Sequence, residues 1–271
     1  MNKKTLKILV VIISCLLSIT LIISIYNVIE WYIDSNKTNN QIQVIQEKTV
    51  VEEITDTDNT EIIEHTEEPP LYNPYWDYIK MNMIYVDFSE LKLINNNVKG
   101  WIQVNGTNIN YPFVQANDNK YYLTHSFDKS YNQAGWVFLD YRNNIKSMDK
   151  NTIIYAHGRT DTTMFGSLKN IVKSNWYNNS SNYVIKLSTE YENTLWQVFS
   201  VYHIETTSDY LQTDFSSNTE YQDFLNKLIN RSVFNFNTTI NSNDNILTLS
   251  TCYNNTEKVV MHAKLIKRET R

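Results

Sequence analysis

Residues 246–252 have the sequence ILTLSTC, an apolar and β-branched run that ends on a cysteine. Residues of these types favour strands, and we predict one over residues 246–250. A side chain at the end of a strand is held rigidly, which suits a nucleophile, so Cys252 is a candidate for that role. An ordinary thiol is only ~3% thiolate at pH 7, so catalysis would need a base or a positive charge nearby. A buried, inert cysteine is the alternative.

Seven further runs along the chain have the same strand-like character. They are rich in β-branched and aromatic residues and are bounded by Asn, Asp and Gly. The runs are residues 101–104, 109–114, 135–139, 152–155, 183–187, 195–204 and 259–266. Eight strands at this spacing predict a mainly β fold, either a barrel or a sandwich.

Helices are predicted in two places. Residues 71–97 carry apolar side chains at mixed spacing and predict one or two helices packed on the main body. A second region begins at Ser217, which with Glu220 forms a capping-box pattern. An apolar stripe at helical spacing follows, formed by Tyr221, Phe224, Leu225, Leu228 and Ile229. This helix lies before the cysteine strand, and we expect it to pack against the strands.

The N-terminus predicts a membrane anchor. Residues 8–29 contain no charged side chain, and about 20 apolar residues suffice to cross a bilayer as a helix. Lysines precede this segment and acidic residues follow it, so residues 1–7 would be a cytoplasmic tail and the rest of the chain extracellular. A cleaved signal peptide, or a lipoprotein-like cleavage before Cys15, is the alternative.

The segment after the anchor differs in composition from the rest of the chain. Residues 47–68 carry nine acidic side chains against one lysine and no aromatic residue. Such a segment buries too little apolar surface to offset its ordering entropy, so residues 30–70 are predicted to form an extended acidic stalk. An acidic interaction segment is the alternative. Residues 71–271 would then form the catalytic domain.

Composition also excludes several classes of function. The net charge of −5 gives no general basic surface of the kind that nucleic-acid-binding proteins carry. Cys15 falls in the predicted anchor, so Cys252 has no partner for an intramolecular disulfide. No paired His and Cys spacing typical of zinc sites occurs, and the sequence predicts neither a metal nor a cofactor.

One of the five histidines stands out as a base for Cys252. His157 ends the apolar run of residues 151–156 and is followed by Gly158, a residue type at which chains often reverse direction. His125 lies in a loop-like segment and stays open as a candidate. The other histidines favour structural or solvated roles, and they are His65, His203 and His262.

Several motifs resemble those of class B sortases, cysteine transpeptidases of Gram-positive bacteria. TLSTC at residues 248–252 resembles the TLxTC signature of sortases, and NTIIYAH at 151–157 resembles their histidine strand. MFGSL at residues 164–168 is typical of class B. Further similarities follow the family order, at GWI (100–102), TNINYP (107–112), DNKYYL (118–123), FLDYR (138–142) and ETTSDYL (205–211). Together they cover residues 75–267.

The resemblance implies a fold and a reaction. The fold would be an eight-stranded sortase β-barrel with N-terminal helices and a helix before the cysteine strand. Cys252 would attack the Thr carbonyl of a C-terminal sorting motif in surface-protein precursors and form a thioester. An amine of peptidoglycan or of a lipid-linked precursor would then resolve this thioester. His157 would protonate the departing amine and deprotonate the incoming one.

The resemblance also implies a peptide groove beside Cys252. Asn119 and Leu123 would line one wall, Tyr210 and Leu211 the other, and Ser250 would lie on the floor. Ordinary packing is the alternative role for the two leucines.

One position departs from the family pattern. Sortases usually carry an Arg at the start of the last strand, where its guanidinium holds the substrate backbone and the developing oxyanion. Here that residue is Lys258, which keeps the charge but lacks the planar fork of Arg. Arg159 follows His157 closely and could reach the site, whereas Arg268 lies roughly 33 Å along an extended strand.

This departure leaves a second function open, a sortase-like domain that binds sorting peptides with little or no catalysis. A papain-like hydrolase fits less well, because Cys generally precedes His in those families and here His157 precedes Cys252.

Overall fold

The computed structural model of the protein describes residues 2–63 and 75–271. A long helix, α1 (Lys3–Lys48), precedes a mainly β domain. The strands are β1 (Val51–Ile54), β2 (Thr60–Ile62), β3 (Met83–Val86), β4 (Val98–Val104), β5 (Asn110–Val114), β6 (Phe138–Leu139), β7 (Asn151–Tyr155), β8 (Val184–Thr189), β9 (Glu192–Glu205), β10 (Ile246–Cys252) and β11 (Glu257–Thr270). The other helices are α2 (Tyr75–Tyr78), α3 (Ser89–Ile94), α4 (Ser174–Tyr177) and α5 (Asn218–Arg231).

Eight of these strands form a closed barrel. Their order is β10-β7-β6-β5-β4-β8-β9-β11, and pairing of β11 with β10 closes the circle. β5 pairs with β6 and β7 with β10 in parallel, while the other neighbours are antiparallel. Closure leaves no free edge among the eight strands. The predicted eight-stranded barrel is confirmed, and each predicted strand corresponds to one observed strand.

Strand β10 is buried on both of its faces, although it carries hydroxyl side chains as well as apolar ones. Leu247 and Leu249 point into the core of the barrel. Ile246 faces a second apolar cluster, where the barrel wall meets α5. Successive side chains of a strand point to opposite faces, so both sets of β10 side chains are shielded from water.

Helix α5 begins and packs largely as its sequence predicts. Ser217 Oγ accepts a hydrogen bond from the Glu220 backbone N–H at 3.1 Å, which caps the helix. The Glu220 carboxylate accepts from the Ser216 N–H at 2.7 Å, so the return half of the capping box is displaced by one residue. Four residues of the predicted stripe are buried, whereas Ile229 lies at its edge and is 38% exposed.

The region before the barrel is only partly helical. Helices α2 and α3 are short, and the strand β3 lies between them and pairs with β1. Sequence reasoning missed β3 because its run, MIYV, is short and helix and strand periodicities cannot be distinguished over four residues. Residues 71–74 of the predicted helical region lie outside the described residues.

The prediction of an extended stalk over residues 30–70 is wrong for the residues that the structure describes. Helix α1 continues to Lys48, β1 pairs with β3, and β2 pairs with β11. Composition misled here because the acidic side chains find lysines on the barrel. Glu53 accepts from Lys186 Nζ at 2.8 Å, and Asp56 accepts from Lys267 Nζ at 2.6 Å. The folded domain therefore includes strands upstream of residue 71, and residues 64–70 lie outside the described part of the chain.

The apolar part of α1 is long and hydrophobic enough to cross a membrane and is exposed along its length. It is compatible with the predicted anchor over residues 8–29. The boundaries of the cytoplasmic tail and the anchor stay predictions, because α1 runs through both without a break.

His262 gives the barrel a specific pH dependence. It lies fully buried in β11, where Nε2 is 2.8 Å from Tyr202 Oη and Nδ1 is 2.9 Å from Thr248 Oγ1. Burial, with a smaller contribution from the charge of Arg231, lowers the pKa of His262 from 6.5 to about 3. Between these values the unfolded chain binds a proton that the folded chain does not, so stability falls as the pH is lowered.

We expect this group to remove up to about 1.4 kcal/mol per pH unit between pH 6.5 and 3. His262→Gln keeps a neutral polar side chain and should flatten that part of the pH profile. Urea unfolding of the full chain in detergent, measured from pH 7 to pH 4, compares the two proteins. The carboxylates titrate in both, so identical profiles would contradict this role of His262.

Candidate active site

One cavity of about 730 Å³ opens where β7 and β10 end and β11 begins. It brings together all eight residues that the sequence singled out, although they are far apart along the chain. Its lining consists of Asn119, Leu123, Phe138, Tyr155, Ala156, His157, Thr206, Thr207, Ser208, Tyr210, Leu211, Ser250, Thr251, Cys252 and Lys258.

Cys252 and Lys258 face each other across the β10–β11 pair. The two residues are direct partners in the antiparallel register, and Lys258 Nζ lies 3.0 Å from Cys252 Sγ. The turn between them is short and is closed by a hydrogen bond from the Tyr253 N–H to the Glu257 carbonyl at 2.9 Å. Both side chains are half-buried, so the ammonium lies against the sulfur with limited screening by water. The structure thus places a positively charged group in contact with the sulfur.

His157 reaches the same place from the other neighbour of β10. Each residue of β10 lies beside the residue 95 positions earlier in the parallel strand β7, up to the pair Ser250 and Tyr155. The Thr251 hydroxyl continues this contact by donating to the Ala156 carbonyl at 2.7 Å. The same offset relates Cys252 to His157, so the two residues leave adjacent strands at the same level.

Gly158 lets the two strand ends approach each other. A Cβ atom at this position would lie 2.1 Å from the Cys252 carbonyl oxygen, far closer than van der Waals contact. Only glycine fits without a shift of the backbone beside the nucleophile.

The His157 ring is held by the cavity wall. Nε2 lies 2.8 Å from the Leu123 carbonyl oxygen, which can only accept, so Nε2 carries the proton of this hydrogen bond. Among the described residues, no hydrogen bond joins His157 to Cys252. Nδ1 is therefore the ring nitrogen left to exchange a proton with a substrate in the cavity.

Comparison with known proteins decides which family this chain represents. A family model of the sortase domain matches residues 102–266. The chain is 30% identical over 260 residues to sortase B of Staphylococcus aureus (strain NCTC 8325 / PS 47), covering 94% of this chain and 96% of the relative. The chain belongs to the sortase family, in class B. It is accordingly a transpeptidase that acts on peptides with a sorting motif.

Solved structures agree with this assignment. A Bacillus anthracis protein described as similar to sortase B superposes with a TM-score of 0.67 at 37% identity, covering 89% of this chain and 99% of that one. A sortase B complexed with triglycine superposes with a TM-score of 0.63 at 36% identity, covering 66% of this chain and 85% of that one.

The predicted groove residues of this sortase lie on the cavity surface. Tyr210 is buried, and its hydroxyl lies 2.9 Å from Ser250 Oγ, which joins the second wall to the floor. On the first wall Asn119 precedes a 3-10 helix (Tyr121–Leu123) that ends on Leu123, and Leu211 follows Tyr210 on the second wall. The apolar side chains and the few polar groups form a surface suited to an extended peptide.

Sequence reasoning assigned no role to Asp140, which supports both walls of the groove from behind. Its carboxylate accepts hydrogen bonds from Asn119 Nδ2 at 2.9 Å and from the Tyr155 hydroxyl at 2.8 Å. Arg142 donates Nε to Oδ1 at 2.9 Å and Nη2 to Oδ2 at 2.8 Å. The same Arg142 Nη2 also donates to the Leu211 carbonyl at 3.0 Å. One buried carboxylate thus connects the Asn119 wall to the Leu211 wall.

The electrostatics of Asp140 keep it ionised. Burial by itself would raise its pKa, but the hydrogen bonds from Arg142, Tyr155 and Asn119 outweigh burial and lower it. The motif FLDYR, which carried part of the family resemblance, contains both members of this ion pair. A charged pair two residues apart at a strand end was the available signal.

Three small hydroxyl residues of the second wall were also missed, Thr206, Thr207 and Ser208. Thr206 is tied to the β10–β11 turn, because its N–H and its hydroxyl both donate to the Thr256 carbonyl, at 2.8 and 2.9 Å. This tie holds the second wall beside Lys258.

The other basic side chains that were considered are occupied elsewhere. Arg159 does not line the cavity, because it pairs with Asp161 at 2.8 Å. Arg268 pairs with Glu192, also away from the cavity. Lys258 is the cation that the structure places at Cys252.

The other three histidines that the structure describes also lie outside the cavity lining. His125 is stacked on Tyr121, with its Nδ1 2.8 Å from the Tyr121 carbonyl oxygen. His203 is exposed and lies 3.3 Å from a Glu257 carboxylate oxygen, and His262 is fully buried in β11 against Tyr202 and Thr248. His65 lies outside the described residues.

Asp140→Asn should weaken peptide binding more than it slows the chemical step. The amide removes the charge that holds Arg142, so the Leu211 carbonyl loses its fixed partner and the groove loosens, at a stability cost of about 1–3 kcal/mol. Steady-state cleavage of a fluorogenic sorting peptide should show a raised KM with kcat changed less. Asp149→Asn is a matched control, because Asp149 bonds Asn143 and Asn144 away from the cavity. Equal effects of both substitutions on KM would contradict the role of Asp140.

Proposed function

We propose that Cys252 is the nucleophile of this sortase and that it forms a thioester with the Thr of a sorting motif. The observation that carries the proposal is the 3.0 Å contact between Lys258 Nζ and Cys252 Sγ, in the cavity that His157 also lines. A thiol needs a nearby positive charge or base to react at neutral pH, and the site offers both.

The proposed reaction has two halves. Cys252 Sγ attacks the Thr carbonyl carbon, an S–C bond forms, and the carbonyl oxygen becomes an oxyanion. His157 donates a proton to the departing amine as the C–N bond breaks, which leaves a thioester. An amine then attacks the thioester, His157 accepts its proton, and the S–C bond breaks to release the new amide and the thiolate. Water in place of the amine would give hydrolysis as a side reaction.

Lys258 has two tasks in this scheme. Its ammonium stabilises the thiolate before attack and the oxyanion after it. Lys presents one compact charge, whereas Arg presents a planar fork that can hold two oxygens at once. We expect Lys258 to perform the electrostatic task and to hold the substrate backbone less firmly than Arg would.

The groove residues are proposed to bind the sorting peptide. Asn119 and Leu123 would contact it from one wall, and Tyr210 and Leu211 from the other, above Ser250. The hydrogen bond between Tyr210 and Ser250 and the support of Asn119 by Asp140 keep these polar groups in fixed positions. Fixed positions reduce the entropy cost of binding.

The acceptor is proposed to be an amine of peptidoglycan or of its lipid-linked precursor. The sortase B complexed with triglycine supports a glycine-type amine as the acceptor for this chain. The apolar part of α1 supports a single-pass anchor that keeps the catalytic domain outside the cell, where precursor and acceptor meet. The protein would thereby attach surface proteins covalently to the cell wall.

Peptide binding without catalysis is a second candidate function, favoured by the replacement of the usual Arg with Lys258. A binding domain would form no adduct at Cys252 with a sorting peptide whose scissile group is thiol-reactive, although it would retain the peptide in the groove.

Four variants separate these functions, namely Cys252→Ala, His157→Ala, Lys258→Ala and Lys258→Arg. Full-length protein in detergent is mixed with a sorting-peptide library and triglycine. Thioester is followed by mass spectrometry and the transferred product by chromatography. We expect Cys252→Ala to abolish both and His157→Ala to reduce both strongly. Lys258→Ala should slow thioester formation about 10²-fold.

Lys258→Arg is the conservative control and should retain most of the thioester formation. Full thioester formation in Lys258→Ala would show that Lys258 has no electrostatic role. Peptide binding by the unmodified protein with no thioester at all would favour the second function.

A further inference from the structure

The part of α1 that follows the apolar segment docks on the catalytic domain along one face. The contacting residues recur at helical spacing and are Asp34, Ser35, Thr38, Gln41, Ile42 and Ile45. Asp34, Ser35, Thr38 and Ile45 are buried, whereas Asn36, Asn39 and Gln43 on the other faces are exposed. A polar stripe that is buried along a helix indicates a specific interface.

The first docking partner is the loop of residues 126–133. Asn132 Nδ2 donates to Thr38 Oγ1 at 3.0 Å and to the Asp34 carbonyl at 3.3 Å. The Gln133 N–H donates to the Asp34 carboxylate at 3.1 Å, and the Phe127 N–H donates to Gln41 Oε1 at 3.0 Å. Backbone groups of the loop thus find their partners on the helix.

The second docking partner is the segment that follows His157. Arg159 Nη2 donates to Ser35 Oγ at 2.5 Å, and the Ser35 hydroxyl lies 3.1 Å from Asp161 Oδ2. The Arg159 guanidinium carbon also lies 6.0 Å from the centre of the Trp31 ring. Burial alone would raise the pKa of Asp161, but hydrogen bonds from Arg159 and Thr163 lower it to about 2. The ion pair under α1 is therefore charged at all physiological pH values.

This interface fixes the position of the catalytic domain along the axis of α1. A cavity of about 390 Å³ is shared by the helix residues Tyr26, Asn27, Glu30, Trp31 and Asp34 and the domain residues Tyr131, Gln133 and Arg159. Lys37 Nζ also bonds the Tyr131 carbonyl at 2.8 Å. Tyr131 therefore lies beside the turn of α1 that contains Glu30, the first charged residue after the uncharged segment.

Exposed aromatic side chains lie around this turn of α1. Tyr131 is 60% exposed, and Tyr26, Trp31 and Tyr32 on α1 are 61%, 46% and 62% exposed. Tyr and Trp are enriched where a membrane meets water, because their rings are apolar and their tips polar. The loop that carries Tyr131 and helix α1 thus both place exposed aromatic side chains at the same position along the helix axis.

We propose that the catalytic domain rests directly on the outer surface of the membrane, with Tyr131 in the interfacial layer of the lipid beside Tyr26, Trp31 and Tyr32. The proposal rests on the membrane anchor proposed above. The docked half of α1 holds the domain rigidly, and the chain that follows each contacted loop lies against His157. Phe165 donates its N–H to the His157 carbonyl at 3.1 Å, and Gly135 lies against the His157 ring. The domain cannot rotate freely about its anchor, so the active site keeps one orientation towards the bilayer.

The depth of Tyr131 in the bilayer tests this. A full-length Cys15→Ser, Cys252→Ser protein receives a single cysteine by Tyr131→Cys or, as a control, Leu93→Cys. Leu93 is 81% exposed and lies in α3, which contacts the far end of α1 through the Lys48–Glu90 pair. That end is 18 residues beyond Glu30, about 27 Å along the helix. Each cysteine is labelled with the fluorophore NBD, and the protein is reconstituted into phosphatidylcholine vesicles with or without lipid carrying a shallow doxyl quencher.

We expect at least a two-fold loss of fluorescence at position 131 and almost none at position 93. Vesicle flotation is measured on the same samples. Protein that floats with the vesicles but shows equal quenching at both positions would overturn the membrane contact while leaving the anchor intact. Protein that does not float would overturn the anchor and the contact together.

A second pair of variants tests whether the docked half of α1 holds the domain at the membrane. In the Tyr131→Cys protein, the triple change Asp34→Ala, Thr38→Ala and Gln41→Ala removes the docking contacts. The matched control Asn36→Ala, Asn39→Ala and Gln43→Ala alters the same number of exposed polar residues. Quenching at position 131 should fall in the docking variant and persist in the control. Undiminished quenching in the docking variant would show that the helix interface does not hold the domain at the membrane.

Discussion

Strand β10 is hydrogen-bonded on both edges, in parallel to β7 and antiparallel to β11. This double pairing closes the barrel, and it also determines where the site forms. Because β7 and β10 run in the same direction, their ends meet, and His157 and Cys252 leave the wall side by side. Because β11 runs back from a short turn, its first residues lie opposite the last residues of β10, which brings Lys258 to the sulfur. A slip of one residue in either register would send these side chains to opposite faces.

The groove depends on an ion pair behind it, in which the Asp140 carboxylate is buried and the Arg142 side chain is partly exposed. Asp140 and Arg142 bind both walls, and Thr206 ties the second wall to the turn that carries Lys258. A second buried ion pair, Arg159 and Asp161, lies on the other side of His157 under α1. The residues that would contact a peptide are thus carried by loops, and the loops are immobilised by hydrogen-bonded charges. Such pairs contribute little net stability compared with apolar packing, but they define one geometry and penalise others.

Lysine and arginine differ most where a planar guanidinium must bind two oxygen atoms at once. At Lys258 the strand register sets the position of the charge, and the side chain only has to reach the adjacent sulfur. A single ammonium is sufficient for that contact, so a Lys that follows a short turn can still place a positive charge at the sulfur. The same ammonium cannot hold two oxygens of a substrate in one plane, so the binding part of the usual Arg role would fall more heavily on Asn119, Tyr210 and the hydroxyl residues of the second wall.

Local chemistry in the sequence determined much of this protein. The apolar runs predicted the barrel strands, the pattern from Ser217 predicted α5, and the position of Cys252 and His157 at strand ends made both candidates for the site. Each of these signals comes from neighbouring residues. The acidic segment failed as a signal for a stalk because its partners, Lys186 and Lys267, are more than a hundred residues away. Asp140 and Arg142 gave a local signal as a charged pair at a strand end, but their contacts with Asn119 and Leu211 are not visible in the sequence. Only the tertiary structure decided which distant charges meet, because pairing across a closed barrel depends on strand order and register, which composition and spacing do not encode.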